Sequence, residues 1–267
     1  ATLFALKALP AEWHHNIEIV NRFHQQARVM ARFNHPNIVR VSDVDKDGNT
    51  PYFVMEYIEG QALSEYLAAN GPLSVREALS IARQITLALD YAHSHPSPAI
   101  HRDIKPQNIL IETNSKRAVV TDFGIAKVRG ASTQTNAELM LGTLLYCAPE
   151  QILPHLEIDG RADLYSLGLV LYEMVTRRAF FADLDERTLL GKMLSGQEDN
   201  LPVFSLPVPP EFAALVRRAI SRRLEDRYQS AKELLKDIDA SLALPTSSLD
   251  AQPLAQATAL DPVVPNH

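Results

Sequence analysis

The stretch IHRDIKPQNILI, residues 100–111, places an acid, a cation and an amide close together and then returns to aliphatic side chains. These three polar residues are Asp103, Lys105 and Asn108, and a second acid, Asp122, follows within Asp-Phe-Gly. Mg²⁺ prefers one or two protein oxygens together with phosphate oxygens and water, so two acids and an amide predict a Mg-nucleotide site. For an isolated His-Arg-Asp, a polar loop satisfied by its own turns is an equally good interpretation.

Composition limits the classes of protein to which the chain can belong. Its 267 residues, 46% hydrophobic and 22% charged, suffice for one large domain or two small lobes. The net charge of -6 leaves no basic excess for a nucleic-acid backbone, so no nucleic-acid partner is expected. The sequence contains no apolar run of about 18 residues, so no membrane segment is predicted. The lone Cys147 excludes an internal disulfide and is interpreted as a packed thiol rather than a nucleophile.

The first 60 residues read as strand, helix, strand, strand. An apolar strand covers residues 2–8, and the runs 37–44 and 51–58 flank an Asp-Gly hairpin signal. The helix between them should end at His35-Pro36, because the residue before proline is pushed out of the helical region. Its buried face is predicted to carry Ile17, Val20, Phe23, Ala27 and Met30.

Beyond Glu59-Gly60 the pattern becomes helical. One helix should end at Gly71, and a Ser74/Glu77 capping box should open another that reaches Ser94. Residues 161–176 are apolar nearly all round, which predicts a helix at the centre of this part. Amphipathic helices are predicted in 211–220 and 230–243, a mobile loop in 129–143, and a disordered tail or linker in 244–267.

Several ordered motifs together carry a family resemblance. HRDIKPQN, then DFG, then GTLLYCAPEQ resemble the catalytic half of the serine/threonine protein kinases, in particular the eukaryotic-like kinases of bacteria. The resemblance implies an α+β, bilobal protein-kinase-like fold in residues 1–243, with a small β-rich lobe in 1–59 and a larger helical lobe in 60–243. It also implies transfer of the γ-phosphoryl group of Mg-ATP to protein Ser or Thr hydroxyls.

The resemblance assigns roles to the polar residues. Asp103 is expected to orient the substrate hydroxyl or accept its proton, and Lys105 to touch the moving phosphate. Asn108 and Asp122 are expected to hold Mg²⁺, and Lys7 matches the phosphate-binding lysine. The adenine pocket is expected to comprise Met55 as gatekeeper, the hinge Glu56 to Ile58, and Ala5 and Leu110 on either side of the ring.

Other positions match regulatory and structural parts of the family. Thr133 and Thr135, beside Ser132, are the expected autophosphorylation sites, whose phosphate could pair with Arg102, while Thr143 is expected to position substrate. His101 is expected to pack rather than act as a base. Glu150 and Arg227 are expected to form a buried ion pair. Asp163 is expected to brace the backbone of the catalytic loop.

The sequence departs from the family at the nucleotide side. No Gly-x-Gly-x-x-Gly precedes Lys7, because the sequence starts six residues earlier, and we expect a longer parent or an incomplete reading frame. Gln26 stands where the family pairs a glutamate with the lysine, and Glu18 could replace it only after a register shift. A pseudokinase acting as a binding or scaffold module therefore stays open, whereas GTLLYCAPE disfavours a small-molecule phosphotransferase.

The expected partners follow from the kinase interpretation. They are ATP, Mg²⁺ and a protein substrate, with dimerisation for autophosphorylation in trans as an option. We expect a cytoplasmic location, either free or as the cytoplasmic domain of a longer protein.

Overall fold

The computed structural model describes residues 3–123, 144–153, 156–195 and 208–245. Two antiparallel three-stranded sheets and a set of helices make up this part of the chain. The strands are β1 Phe4–Ala8, β2 Val41–Asp47, β3 Thr50–Glu56, β4 Gly60–Ala62, β5 Ile109–Glu112 and β6 Ala118–Val120. The helices are α1 Ile17–Met30, α2 Leu63–Asn70, α3 Val75–Ser94, α4 Pro149–Ile152, α5 Arg161–Thr176, α6 Glu186–Ser195, α7 Pro210–Ala219 and α8 Ala231–Leu242.

The first sheet has the order β1-β3-β2, and its strands lie near the predicted runs, although β2 begins at Val41 instead of residue 37. The register pairs Lys7 with Phe53, and the β2–β3 hairpin turns at Gly48, whose φ of 58° suits glycine. Helix α1 packs on this sheet, and the ring of Phe23 lies 5.1 Å from that of Phe53. The small lobe is thus held together by the apolar face of α1.

Two details of α1 differ from the prediction. Ile17 is 72% exposed although the periodicity placed it on the buried face, because it is the first helical residue, directly after the Asn16 cap. The helix also ends at Met30, before His35-Pro36, and a short turn leads on to Phe33. The N–H groups of Arg32 and Phe33 donate to the carbonyls of Val29 and Met30, so a tight turn ends the helix before His35-Pro36.

Helix α2 ends and helix α3 begins at the predicted capping residue. Gly71 closes α2 with a φ of 79°, and the Ser74 hydroxyl accepts the N–H of Glu77 at the start of α3. The capping box is only half formed, because the Glu77 carboxylate accepts the hydroxyl of Tyr66 instead. Sequence alone could not show this competition, since Tyr66 lies on another helix.

Helix α5 is the centre of the larger lobe, as its apolar composition predicts. Its residues from Ala162 to Tyr172 are all buried. Gly168 permits close packing, because a Cβ there would lie 2.7 Å from the Cβ of Ala219 on α7. The second sheet, ordered β4-β5-β6, lies beside the loop between α3 and β5.

The observed fold is a small antiparallel sheet with one helix, followed by a larger helical lobe. The first sheet ends at Glu56 and the second begins at Gly60, on either side of the predicted Glu59-Gly60 division. The domain limits stay a prediction, and both the loop 129–143 and residues 246–267 of the tail lie outside the described residues. Within the described ranges, no helix combines the length and apolarity needed to cross a membrane.

Candidate active site

The loop between α3 and β5 holds Asp103, Lys105 and Asn108 in one cluster. The amide nitrogen of Asn108 donates to the backbone oxygen of Asp103 at 2.8 Å and to its Oδ2 at 3.0 Å. The ammonium of Lys105 lies 3.1 Å from the same Oδ2. The side chains of Asp103 and Lys105 are 17% and 18% exposed, so they are shielded but within reach of a ligand.

The buried start of α5 braces the backbone of this loop. Asp163 accepts the N–H of His101 at 2.8 Å and that of Arg102 at 2.7 Å. Arg102 has a φ of 64°, a left-handed conformation that costs a non-glycine residue free energy and that these bonds help to maintain. The carboxylate thus fixes the two residues that precede Asp103.

His93 supports the brace, and no pattern in the sequence indicated this role. Its Nε2 lies 2.8 Å from the Oδ2 of Asp163, and a Cβ at Gly160 would lie 2.6 Å from its ring. Burial alone would raise the pKa of Asp163, but the hydrogen bond and charge of His93 and the N–H of His101 outweigh burial. The pKa of Asp163 therefore lies below its usual value, and the carboxylate stays charged.

His101 is a buried packing residue. Its Nε2 lies 2.8 Å from the carbonyl of Thr121, its Nδ1 accepts the N–H of Asp103, and its ring lies 4.6 Å from that of Phe123. These partners require a proton on Nε2 and none on Nδ1. Burial lowers the pKa of His101, although Asp163 opposes the shift. The imidazole is thus neutral, with both nitrogens engaged in structural bonds.

Asp122 and Lys7 meet across the two lobes. The ammonium of Lys7, on β1, lies 2.5 Å from Oδ1 of Asp122, and the side chains are 36% and 32% exposed. Asp122 has a φ of 57° and lies between Thr121 and the fully buried Phe123. The N–H of Thr121 donates to the carbonyl of Asn108 at 2.9 Å, which ties Asp122 to the Asp103 cluster.

Helix α1 does not supply an acid to Lys7. Gln26 is 8% exposed on its buried face, at the position where the family resemblance places a glutamate. Glu18 pairs instead with Arg22, and its side chain is 66% exposed. A register shift that would bring Glu18 to Lys7 is therefore not seen.

The residues expected around the adenine ring come from both lobes. Ala5 pairs with Met55 in the β1–β3 register, and Leu110 is half-buried on β5. Glu56 ends β3, where its N–H donates to the carbonyl of Arg40 and its carboxylate accepts the N–H of Arg40. Ile58, the last hinge residue, is 7% exposed.

The other candidates lie farther from the cluster. Arg227 and Glu150 form a bidentate pair with distances of 2.6 and 2.9 Å, and both side chains are at most 2% exposed. Three expected loop positions, Thr133, Thr135 and Thr143, fall outside the described residues together with Ser132.

The donor chemistry of the site fits Mg²⁺ and a nucleotide. Asn108 donates through its nitrogen, which leaves a carboxamide oxygen, and Asp122 adds a carboxylate; both are hard oxygen ligands. In the part of the chain that the structure describes, no group of three or more His, Cys, Asp or Glu could hold a metal. Magnesium shared with phosphate oxygens needs no such group. The cations Lys7 and Lys105 suit the phosphates.

Comparisons with known proteins agree with this arrangement. Residues 1–238 match the family model for the protein kinase domain. The chain is 36% identical over 234 residues to serine/threonine-protein kinase PrkC of Bacillus subtilis, covering 88% of this chain and 36% of that protein. It is 34% identical over 245 residues to the probable serine/threonine-protein kinase PknB of Lactococcus lactis, covering 91% and 38%. The chain thus spans little more than a third of these relatives.

Solved structures are similar as well. The chain superposes on a Mycobacterium tuberculosis PknI kinase domain with a TM-score of 0.66 and 26% sequence identity. The superposition covers 90% of this chain and 86% of that one. A second crystal structure of the PknI kinase domain gives a TM-score of 0.64 at 25% identity.

Proposed function

The chain belongs to the protein kinase domain family, and on that premise we propose that its parent protein transfers the γ-phosphoryl group of Mg-ATP to protein Ser or Thr hydroxyls. The observation that carries the proposal is the single cluster of Asp103, Lys105 and Asn108, to which the Asn108–Thr121 bond ties Asp122. Phosphoryl transfer asks a protein mainly for positioning and charge stabilisation, and this cluster offers both.

Each side chain has a role that its contacts support. Asp103 orients the attacking hydroxyl and accepts its proton, and Asn108 holds that carboxylate in place through its amide nitrogen. Lys105 lies 3.1 Å from the same carboxylate and supplies positive charge where the phosphoryl group passes. Lys7, on β1, provides a second cation next to Asp122.

The proposal includes both cofactors. Asn108 and Asp122 would hold Mg²⁺ through their side-chain oxygens, and Lys7 would contact the phosphates. When bound, the ion neutralises phosphate charge. The adenine ring would lie between Ala5 and Leu110, against Met55 and the backbone of Glu56 to Ile58.

Partners and location are further parts of the proposal. The substrate is a protein with an accessible Ser or Thr, and autophosphorylation at Thr133 or Thr135 would proceed through a dimer. The parent protein acts in the cytoplasm, or its kinase part does. Identity to curated serine/threonine kinases over 88–91% of this chain supports the protein substrate.

A pseudokinase is the second candidate, favoured by one observation. Lys7 contacts Asp122 while α1 presents Gln26 instead of an acid, so the fixed lysine–glutamate pair expected from the family is absent from this part of the chain. The complete Asp103, Asn108 and Asp122 set opposes a purely binding role.

Magnesium dependence tests the proposal. The natural full-length protein should phosphorylate Ser or Thr only with Mg-ATP, and Asp122→Asn should abolish this at physiological Mg²⁺ because a metal ligand loses its charge. Activity that survives in Asp122→Asn would contradict the assigned role. Gln25→Glu, on the exposed face of α1, serves as a control that leaves the cluster unchanged.

A further inference from the structure

The peptide unit between Arg102 and Asp103 is held from both sides. Peptide bonds in the described residues are trans, so its carbonyl and its N–H point in opposite directions. The N–H belongs to Asp103 and donates to Nδ1 of His101 at 3.2 Å. The carbonyl belongs to Arg102 and accepts the side-chain amide of Gln151 at 2.9 Å. Rotation of this unit would move Asp103, and both bonds resist it.

Gln151 reaches this carbonyl from α4, which lies 49 residues farther along the chain. Its carboxamide is used at both ends, because Oε1 also accepts the N–H of Ala148 at 3.0 Å. Ala148 is fully buried and follows Cys147 in the segment before α4. One planar group therefore connects the catalytic loop to the segment that leads into α4.

The bond matters because the backbone at Arg102 is strained. A left-handed conformation is disfavoured for a non-glycine residue, so it persists only where its surroundings determine it. Asp163 holds the N–H side of Arg102 from α5, and Gln151 holds the carbonyl side from α4. Without the Gln151 donor, only one side of this residue keeps its bond to a distant element.

We propose that Gln151 is a positioning residue for Asp103: its amide donor fixes the Arg102–Asp103 peptide and couples it to the segment before α4. The inference rests on the proposed phosphotransferase function, because it assigns Asp103 its catalytic role. Gln151 does not contact the reacting groups, and it acts through the backbone carbonyl of Arg102.

A merely structural role for Gln151 is the competing explanation. Its bond to Ala148 is one half of a capping box, in which the side chain at the third helical position accepts the N–H of the N-cap residue. Gln151→Glu separates the two roles, because a carboxylate still accepts from Ala148 but cannot donate to Arg102. Gln151→Leu removes both bonds without adding a charge. An effect that both variants share therefore reports the donor to Arg102.

Gln84 offers a matched control on α3. Its Oε1 accepts the N–H of Ala118 at 2.8 Å, and its Nε2 donates to the carbonyl of Lys116 at 3.4 Å. It is thus another glutamine that bridges two backbone groups, away from the Asp103 cluster. Gln84→Glu makes the same isosteric change there.

The experiment measures steady-state phosphotransfer and amide hydrogen exchange in the natural full-length protein. Gln151→Glu and Gln151→Leu should each lower kcat about tenfold or more while KM for ATP stays within about twofold, since the lost bond misplaces Asp103 and not the nucleotide. Both should also speed exchange of the Asp103 amide. Gln84→Glu should change neither kcat nor that exchange rate.

The exchange readout keeps this inference separate from the proposed function. If the wild-type protein transfers no phosphate, the proposed function fails, and slow Asp103 exchange that depends on Gln151 would still show the positioning contact. Unchanged Asp103 exchange in both Gln151 variants would overturn the inference. So would faster exchange with unchanged kcat, because the contact would then have no consequence for catalysis.

Discussion

Two residues at the candidate site have left-handed backbones, Arg102 with φ 64° and Asp122 with φ 57°. Strain of this kind persists where surrounding contacts determine it, and functional sites are common places for it. Arg102 directly precedes the proposed catalytic residue Asp103, and Asp122 is itself a proposed metal ligand. The sequence motif marks both positions but does not reveal their conformation.

The contact between Lys7 and Asp122 leads to a prediction for position 26. Gln26→Glu would offer a carboxylate on the buried face of α1 and draw Lys7 from its contact with Asp122. Such a pair is worth about 1 kcal/mol, or several-fold in the population of the active arrangement. We expect several-fold higher activity in the natural full-length protein, with Asp103→Asn still inactive. The exposed neighbour provides the control, Gln25→Glu, and equal activity of the two variants would contradict the expectation.

The buried His101 makes stability depend on pH. Its pKa is lower in the folded protein than the 6.5 of an unperturbed histidine, so the unfolded chain binds the extra proton first as pH falls. Stability is therefore lost below pH 6.5, with a slope of up to about 1.4 kcal/mol per pH unit from this group. Chemical denaturation between pH 7 and 5 measures it. His101→Phe should give a shallower slope, and an identical slope would exclude His101 as the cause.

The site was predictable only in part from residue types. Asp103, Asn108 and Asp122 stand out because acids and an amide cluster in the sequence between aliphatic runs. His93 and Gln151 did not stand out, because their partners Asp163 and Arg102 lie 70 and 49 residues away. Sequence patterns report local chemistry, and these two contacts arise from packing between distant elements.

Among the elements, hydrophobic periodicity and capping residues predicted several helices and strands. The β2–β3 hairpin, the start of α3 at Ser74 and the buried α5 all follow from local signals. The prediction for Ile17 was wrong because periodicity defines a helical face but not where along the helix the face stops meeting its partner. The Glu77 carboxylate likewise accepts a hydrogen bond from Tyr66, on another helix, instead of from the local backbone N–H that a capping box would use.

Loss of the buried ion pair between Glu150, on α4, and Arg227 is expected to lower stability strongly. Glu150→Gln leaves the fully buried guanidinium of Arg227 without its counter-charge, and we expect a loss of about 3–5 kcal/mol in the free energy of unfolding. The same change in Glu233, which pairs with Arg218 at 35–39% exposure, should cost less than about 1 kcal/mol. Urea denaturation compares the variants, and similar losses would show that burial does not set the difference.

Across the whole molecule, one side chain of the larger lobe, Arg117, contacts two segments of the small lobe. Arg117 donates to the carbonyl of Pro36 at 3.0 Å, pairs with Glu112 at 3.2 Å and lies 3.8 Å from the carboxylate of Glu56. Pro36 lies in the loop between α1 and β2, and Glu56 begins the hinge. Ser115 and then Arg117 lower the pKa of Glu112, so this carboxylate stays charged.

Loss of Arg117 should therefore loosen the connection between the lobes. In Arg117→Ala we expect faster amide exchange in residues 56–58, with a change in global stability of less than about 1 kcal/mol because the pairs are partly exposed. Arg83→Ala, which removes a surface pair with Asp239, is the control. Unchanged exchange in the hinge would mean that the hydrogen bonds between Arg40 and Glu56 are enough to hold the hinge in place.

A comparison of two proteins shows whether the Asp103 cluster transfers phosphate. Transfer of labelled γ-phosphate from Mg-ATP to Ser or Thr is measured for the natural full-length protein and for Asp103→Asn, together with ATP binding by both. We expect phosphoserine or phosphothreonine with the wild type only, and ATP binding by both proteins. Equal labelling by both would contradict the role of Asp103. ATP binding without any labelling in either protein would contradict the kinase function and support a pseudokinase.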